Sequence, residues 1–147
     1  MQFSSRTAIA VHILLAIQVF EGQYKTTSAF LSGSLNVNPV IIRNTLGQLK
    51  SAGIVKVKAG EGGASLARAA EEITLLDIFR AVEKEESLFH YHEAPNPRCP
   101  VGRNIRAVLD DKLGMIESEM FERMRSVTLE EMSRDMRERI QSDAAGQ

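Results

Sequence analysis

A helix-length pattern that stops at Gly53 and turns at once into the run Ile54-Val55-Lys56-Val57-Lys58 constrains this chain most. The apolar period drops there from three or four residues to two, as it does where a helix hands over to a half-buried strand. Ala59 to Ala64, AGEGGA, predicts a glycine turn, and Ser65-Leu66-Ala67 returns as a second short strand. Upstream, Asn38 is a good N-cap and Pro39 sits at the first helical position, where proline's missing amide costs nothing. The helix they open carries Ile42, Leu46 and Leu49 on one stripe. Thr26 or Thr27 opens a shorter helix before it, with Phe30, Leu31 and Leu35 facing inward, and Asn36-Val37-Asn38 makes the turn between them. Two helices joined by so short a turn, the second the longer, form a helix-turn-helix pattern. Followed directly by a basic, glycine-tipped hairpin, that pattern is a winged helix.

The segment before it reads as another helix, capped by Ser4 or Ser5 and running to about Glu21, with Gly22 ending it. Ala8, Val11, Leu14, Leu15 and Gln18 trace one side, and His12 is expected to be packed and hydrogen-bonded. Superficially this segment looks like a secretion signal. His12 and Gln18 interrupt its apolar stretch, and no small-residue cleavage pattern follows. It is also too short to span a bilayer, so the expectation is a cytoplasmic chain without a membrane role. A single cysteine rules out an internal disulfide framework and suits a reducing compartment.

The near-neutral net charge of -1 conceals an asymmetry. Residues 1–68 hold seven Lys/Arg against Glu21 and Glu61, while residues 69–147 hold eleven basic and seventeen acidic side chains. A basic half that contains the helix-turn-helix is the half expected to meet nucleic acid. On that reading Val40, Arg43, Asn44, Gly47 and Gln48 form the outward face of the recognition helix. Arg43 suits guanine, Asn44 suits adenine, and Val40 suits a thymine methyl. Ser28 and Asn38, near helix N-termini, are placed for phosphates. Lys50, Lys56 and Lys58 add attraction independent of sequence, and the hairpin tip at Gly60 and Gly63 lies against the duplex. Each residue alone would pass as solvated surface; as a set they point to double-stranded DNA.

The second half reads differently. Thr74 to Asp77 has the spacing of a helix-start box, and LLDIFRAVEK buries Leu75, Ile78, Phe79 and Val82. Pro95, Pro97 and Pro100 break the pattern into a loop about a dozen residues long, a length associated with function. From Cys99-Pro100 a long helix follows, with Ile105, Leu109, Leu113, Ile116, Met120 and Met124 at spacings of three and four. That seam is expected to join two copies of the chain. Thr128 to Glu131 starts a last helix that ends in a frayed tail, SDAAGQ. His90, His92 and Cys99 offer three metal donors without an obvious fourth, a weak signature, and no metal is expected. Cys99 is the candidate sensor, since a helix start beside Arg98 and Arg103 favours the reactive thiolate. No nucleophile-elbow pattern occurs, so an enzyme is not expected.

The run G-x-G-G-x-x-L-A from Gly60 to Ala67, then E-E-I-T-L-L-D-I from Glu71 to Ile78, resembles the Rrf-type family of bacterial regulators, which takes in IscR, NsrR and CymR. The resemblance extends from about Gln2 to about Met136, and AVHIL with PNPRCPVGRNI is most similar to a YwnA-type subgroup without iron–sulfur ligands. It implies a dimeric winged-helix transcription factor, most often a repressor. Three departures stand out. Cluster-binding members carry three late cysteines where this chain has only Cys99, a frequent wing arginine is Ala59, and a frequent glutamate of the recognition helix is Arg43. The expected architecture is therefore mainly α with a small β-hairpin wing: a winged helix-turn-helix plus a long C-terminal dimerisation helix. Its parts are a DNA-binding domain at 1–86, a possible effector loop at 87–99, and dimerisation and C-terminal helices at 100–147. A cofactor is not expected, the effector is unknown, and the competing reading is a winged helix that binds protein rather than DNA.

Overall fold

A computed structural model of the chain describes residues 4–58, 62–84 and 87–147. Among them, in chain order, are α1 (Ser5–Val19), α2 (Ser28–Leu35), α3 (Pro39–Ser51), β1 (Val55–Val57), β2 (Ala64–Leu66), α4 (Leu75–Val82), α5 (Pro100–Arg125) and α6 (Leu129–Ala145). A 3-10 turn at Ala70–Glu72 links the hairpin to α4. β1 and β2 pair antiparallel, with Val55 opposite Leu66 and Val57 opposite Ala64. The architecture is mainly helical with a small hairpin, a winged helix-turn-helix followed by two long helices.

Local chemistry sets most boundaries. Thr27 Oγ1 accepts from the Phe30 amide at 3.1 Å, and Asn38 Oδ1 accepts from the Val40 amide at 2.8 Å. Thr74 and Asp77 make the reciprocal pair, each side chain accepting from the other's amide, at 3.1 and 3.0 Å. Caps of this kind stabilise a helix start by about 1 kcal/mol each. Asn36 adopts the left-handed conformation (φ 55°) that ends α2, and Ser32 donates its hydroxyl to the Val37 carbonyl at 2.6 Å. Those two features let the turn between α2 and α3 stay short.

α1 runs through the middle of the core. Its Ala10, Ile13, Leu14, Leu15, Ala16 and Ile17 are buried among Leu31, Ile42, Leu49, Ile54, Val55, Ile78, Val82 and Leu129. The stripe expected on this helix was too narrow and partly misplaced: Ala8 is exposed and Val11 only partly covered. The reason is that α2, α3 and the hairpin pack on one side and α4 and α6 on another, so no single apolar stripe is needed. His12, expected to be packed, is exposed and has no side-chain hydrogen bond among the described residues. It sits on an apolar groove between α1, α4, α5 and α6, together with Leu75, Phe79, Met124, Met132 and Met136. Leu75, expected in the core, is half-buried on that groove, and Leu76 takes the buried place.

The last two helices behave differently from each other. α6 returns to the first-half core, where Leu129 and Ser133 are fully buried. The Leu129 amide donates to the Ile73 carbonyl and the Leu75 amide to the Val127 carbonyl, both at 2.8 Å. Its far end is longer than expected. The SDAAGQ segment is helical to Ala145, with the Ser142 hydroxyl on the Glu138 carbonyl at 3.0 Å and the Gly146 amide on the Ser142 carbonyl at 3.1 Å. α5 has no buried residue; its Phe121 ring lies 6.0 Å from that of Phe79, with the Arg80 guanidinium 5.5 Å above it. Among the described residues no helix is long and apolar enough to cross a membrane.

Candidate nucleic-acid interface

α3 buries Ile42, Thr45, Leu46 and Leu49 and turns the opposite side outward. Val40 is 52% exposed, Arg43, Asn44, Gly47 and Lys50 are exposed, and Gln48 is half-buried. Because the Ile42–Leu49 stripe anchors the helix, the outward set is held as one rigid face. Asn38 spends its side-chain oxygen on the Val40 amide, so its first role is to start α3. Ser28 is half-buried at the first residue of α2.

The hairpin is tied to the start of α2. Thr26, buried, donates its hydroxyl to the Ala64 carbonyl at 2.7 Å, and the Ala64 amide returns a bond to the Thr26 carbonyl at 3.0 Å. Gly63 makes this possible with a φ of 95°, which side-chain-bearing residues rarely adopt. Lys56 and Lys58 are exposed. The strand does not keep one face buried along its length: Val55 is covered, while Val57 is 41% exposed as the hairpin leaves the core. Gly60, with Ala59 and Glu61, lies outside the described residues.

Beside α3 opens a cleft of about 740 Å3 of mixed polar and apolar lining, with Ile41, Arg43, Asn44, Gln48 and Ser51 from α3 and Arg6, Ala81 and Lys84 from α1 and the end of α4. Arg6 and Lys84 went unnoticed in the sequence. They are 78 positions apart, and only their charge would have singled them out. Glu83 holds this wall together, accepting the Ser4 hydroxyl at 2.6 Å and the Thr7 hydroxyl at 3.0 Å.

The segment between α4 and α5 is fastened to α5. The Arg106 guanidinium lies 5.5 Å over the Tyr91 ring, and the Leu88 amide donates to Glu117 Oε2 at 3.3 Å. The Asp110 carboxylate near the Tyr91 hydroxyl, together with desolvation, raises the pKa of the phenol above its usual value. Phe89, Tyr91, Ile105, Arg106 and Leu109 line a hollow of about 450 Å3 there. His90 and His92 belong to the same segment, whereas Cys99 is exposed at the N-cap of α5. Among the described residues no three His, Cys, Asp or Glu side chains gather as a metal site. Of the expected seam, Ile116 is exposed (54%), while Ile105, Leu109, Leu113, Met120 and Met124 are half-buried. Val101, Val108 and Met115, seven residues apart and 70%, 55% and 64% exposed, extend the apolar surface next to them. Val101, Ile105 and Val108 follow spacings of four and three, but Lys112 interrupts that row before Met115, so the sequence does not mark it as apolar.

Comparison with known proteins gives consistent findings. Residues 3–135 match the family model described as Rrf2, iron-dependent transcriptional regulator. YwnA of Bacillus subtilis (strain 168), named as an HTH-type transcriptional regulator, is 41% identical over 129 residues, which is 88% of this chain and 95% of YwnA. A crystal structure of a protein described as DNA binding superposes with a TM-score of 0.72 at 37% identity, covering 87% of this chain and 98% of that one. CymR, the global cysteine regulator of B. subtilis, superposes at 0.67 with 22% identity, covering 90% and 96%; at that identity the likeness is one of fold.

Proposed function

Because the chain belongs to the Rrf2 family of transcriptional regulators, we propose that it acts as a homodimeric repressor on a two-fold symmetric stretch of double-stranded DNA. DNA binding goes with the family. The observation that carries the site assignment is the rigid outward face of α3, where Val40, Arg43 and Asn44 stand clear of the rest of the chain. An α-helix fits the major groove, and there Arg43 makes a bidentate pair with guanine, Asn44 pairs with adenine, and Val40 meets a thymine methyl. Gln48 extends the reading face. Lys50, Lys56 and Lys58 add phosphate contacts, as do the α2 start at Ser28 and the α3 start at Asn38. The hairpin, at Gly63, lies along the duplex.

Two copies join through α5. Support for this is the apolar surface of α5, where Val101, Val108, Met115 and Ile116 are left uncovered by their own chain beside the half-buried Ile105, Leu109, Leu113, Met120 and Met124. An apolar strip of that length on one helix is the usual seam of a two-fold pair. The three-part division stands within this reading: 1–86 reads DNA, 87–99 receives the signal, and 100–147 pairs the subunits while α6 braces the reading head.

The family description carries iron, and the donors here do not suit an iron or iron–sulfur centre. The chain has one thiol, Cys99, exposed at a helix cap, with no cluster of three potential ligands among the described residues. Cys99 instead serves as a redox switch at the junction of the 87–99 segment with α5. The test of the whole reading is selection of duplexes from a random pool by the purified chain, with the mass of the complex measured by light scattering. A selected sequence of two inverted half-sites bound by two copies supports it; an asymmetric site bound by one copy rejects the dimer.

A further inference from the structure

The cleft beside α3 reaches beyond the reading face, to Arg6 on the first turn of α1 and Lys84 just past α4. Arg6, Arg43 and Lys84 are exposed, and none of them makes an ion pair among the described residues. No carboxylate lines the cleft among the described residues; the neighbouring Glu83 carboxylate is occupied by the Ser4 and Thr7 hydroxyls. That latch fixes the start of α1 against the end of α4, so Arg6 and Lys84 are presented together rather than on independent segments.

A helix with its side chains is about 10–12 Å wide, close to the width of the major groove. The two phosphate strands that wall the groove must therefore run along the two flanks of the helix that enters it. One flank of α3 is α2, whose start carries Ser28. The other is this cleft. We infer that the cleft formed by α3, the α1 start and the α4 end seats the sugar–phosphate backbone of one DNA strand, with Arg6 and Lys84 as its phosphate-positioning residues. This rests on α3 entering the groove, and it adds a backbone-holding surface outside the helix-turn-helix and the wing. Such phosphate pairing carries no sequence information; it sets the depth and tilt at which Arg43 and Asn44 meet the base edges.

The experiment measures duplex binding across a salt series with the full chain, on the sequence it selects from a random pool and on random duplex. For each bound subunit, removing one phosphate-neutralising cation lowers the slope of log affinity against log salt by about 0.9 and the affinity at 0.15 M salt by about fivefold. Arg6→Gln and Lys84→Gln should each do this on both duplexes alike, with base preference unchanged. Ser51→Lys, which adds a cation to the same cleft, should steepen the slope and tighten both. Arg139→Gln, an exposed cation near the end of α6, should change neither. Unchanged slopes in the Arg6, Lys84 and Ser51 variants would overturn the inference. So would a loss confined to the selected sequence. If Arg43→Ala still relaxes base preference in that case, the α3 reading survives and only the cleft falls; wild-type protein that retains no duplex removes both.

Discussion

Ser133 on α6 donates its hydroxyl to the side-chain carbonyl of Gln18 on α1, 115 residues earlier in the chain. Ser133 is fully buried, so the bond is what allows a hydroxyl to sit inside the α1–α6 contact. Gln18→Ala removes the acceptor and leaves that hydroxyl without a partner, at a cost of about 1–3 kcal/mol. For a chain of this size the thermal midpoint should drop by several degrees. Adding Ser133→Ala to the same chain should recover part of the loss. A Gln18→Ala variant as stable as its parent would mean that α6 does not rest on α1.

This pair also marks where the sequence stopped being readable. The caps at Thr27, Asn38 and Thr74 and the turn at Asn36 act within four residues of themselves, and their chemistry can be read from spacing alone. Gln18 was visible as a polar residue on an otherwise apolar side, but its partner belongs to a helix whose return to the core depends on packing. For the same reason α1 lacked a clean stripe, and Leu75 and Leu76 exchanged places. The outward face of α3 was legible because burial of Ile42, Leu46 and Leu49 fixes what points away. Arg6 and Lys84 were not, since only the folded chain brings them beside α3.

Two glycines of α5 should respond in opposite directions. A Cβ on Gly102 would stand 2.5 Å from the Asn96 carbonyl oxygen, a backbone atom that also accepts from the Cys99 amide at 3.2 Å. Gly102→Ala must therefore push the 87–99 segment off the start of α5, destabilising by about 1–3 kcal/mol. Gly114 has nothing within 4 Å of such a Cβ, and Gly114→Ala should stabilise by up to about 1 kcal/mol through helix propensity. Denaturant unfolding of both variants checks the pair, and amide exchange at residues 87–99 should accelerate only in Gly102→Ala.

Reading and holding separate in the DNA variants. Arg43→Ala should cost about 1–3 kcal/mol on the selected duplex and relax preference at one base position. Lys58→Ala should weaken selected and random duplexes alike and flatten the salt dependence. Equal losses on both duplexes for Arg43→Ala would remove it as a base reader.

For Cys99 the outcome rests on chemistry at an exposed thiol that caps α5 without a side-chain hydrogen bond. Mild peroxide should weaken binding to the selected duplex at least tenfold, about 1.4 kcal/mol, and a thiol reductant should restore it. Cys99→Ser should bind equally with and without peroxide. Identical wild-type affinity before and after oxidation would leave Cys99 as a helix-cap residue only.

The seam of the pair is best probed where the monomer has least to lose. Leu113 is half-buried against its own chain, so a charge there threatens the fold as well as the contact between copies. Ile116 is 54% exposed, and Val108 and Met115 on the same uncovered surface are 55% and 64% exposed. Ile116→Glu leaves the single chain's core untouched and places an unpaired carboxylate in the seam of the pair, close to its counterpart across a two-fold axis. The expected product is a folded monomer by light scattering, with an unfolding midpoint independent of protein concentration. Its affinity for a single half-site should match that of the parent, while affinity for the paired site falls to the half-site level because the second arm no longer arrives with the first. An Ile116→Glu protein that remains a dimer with full affinity for the paired site would move the seam off this face of α5.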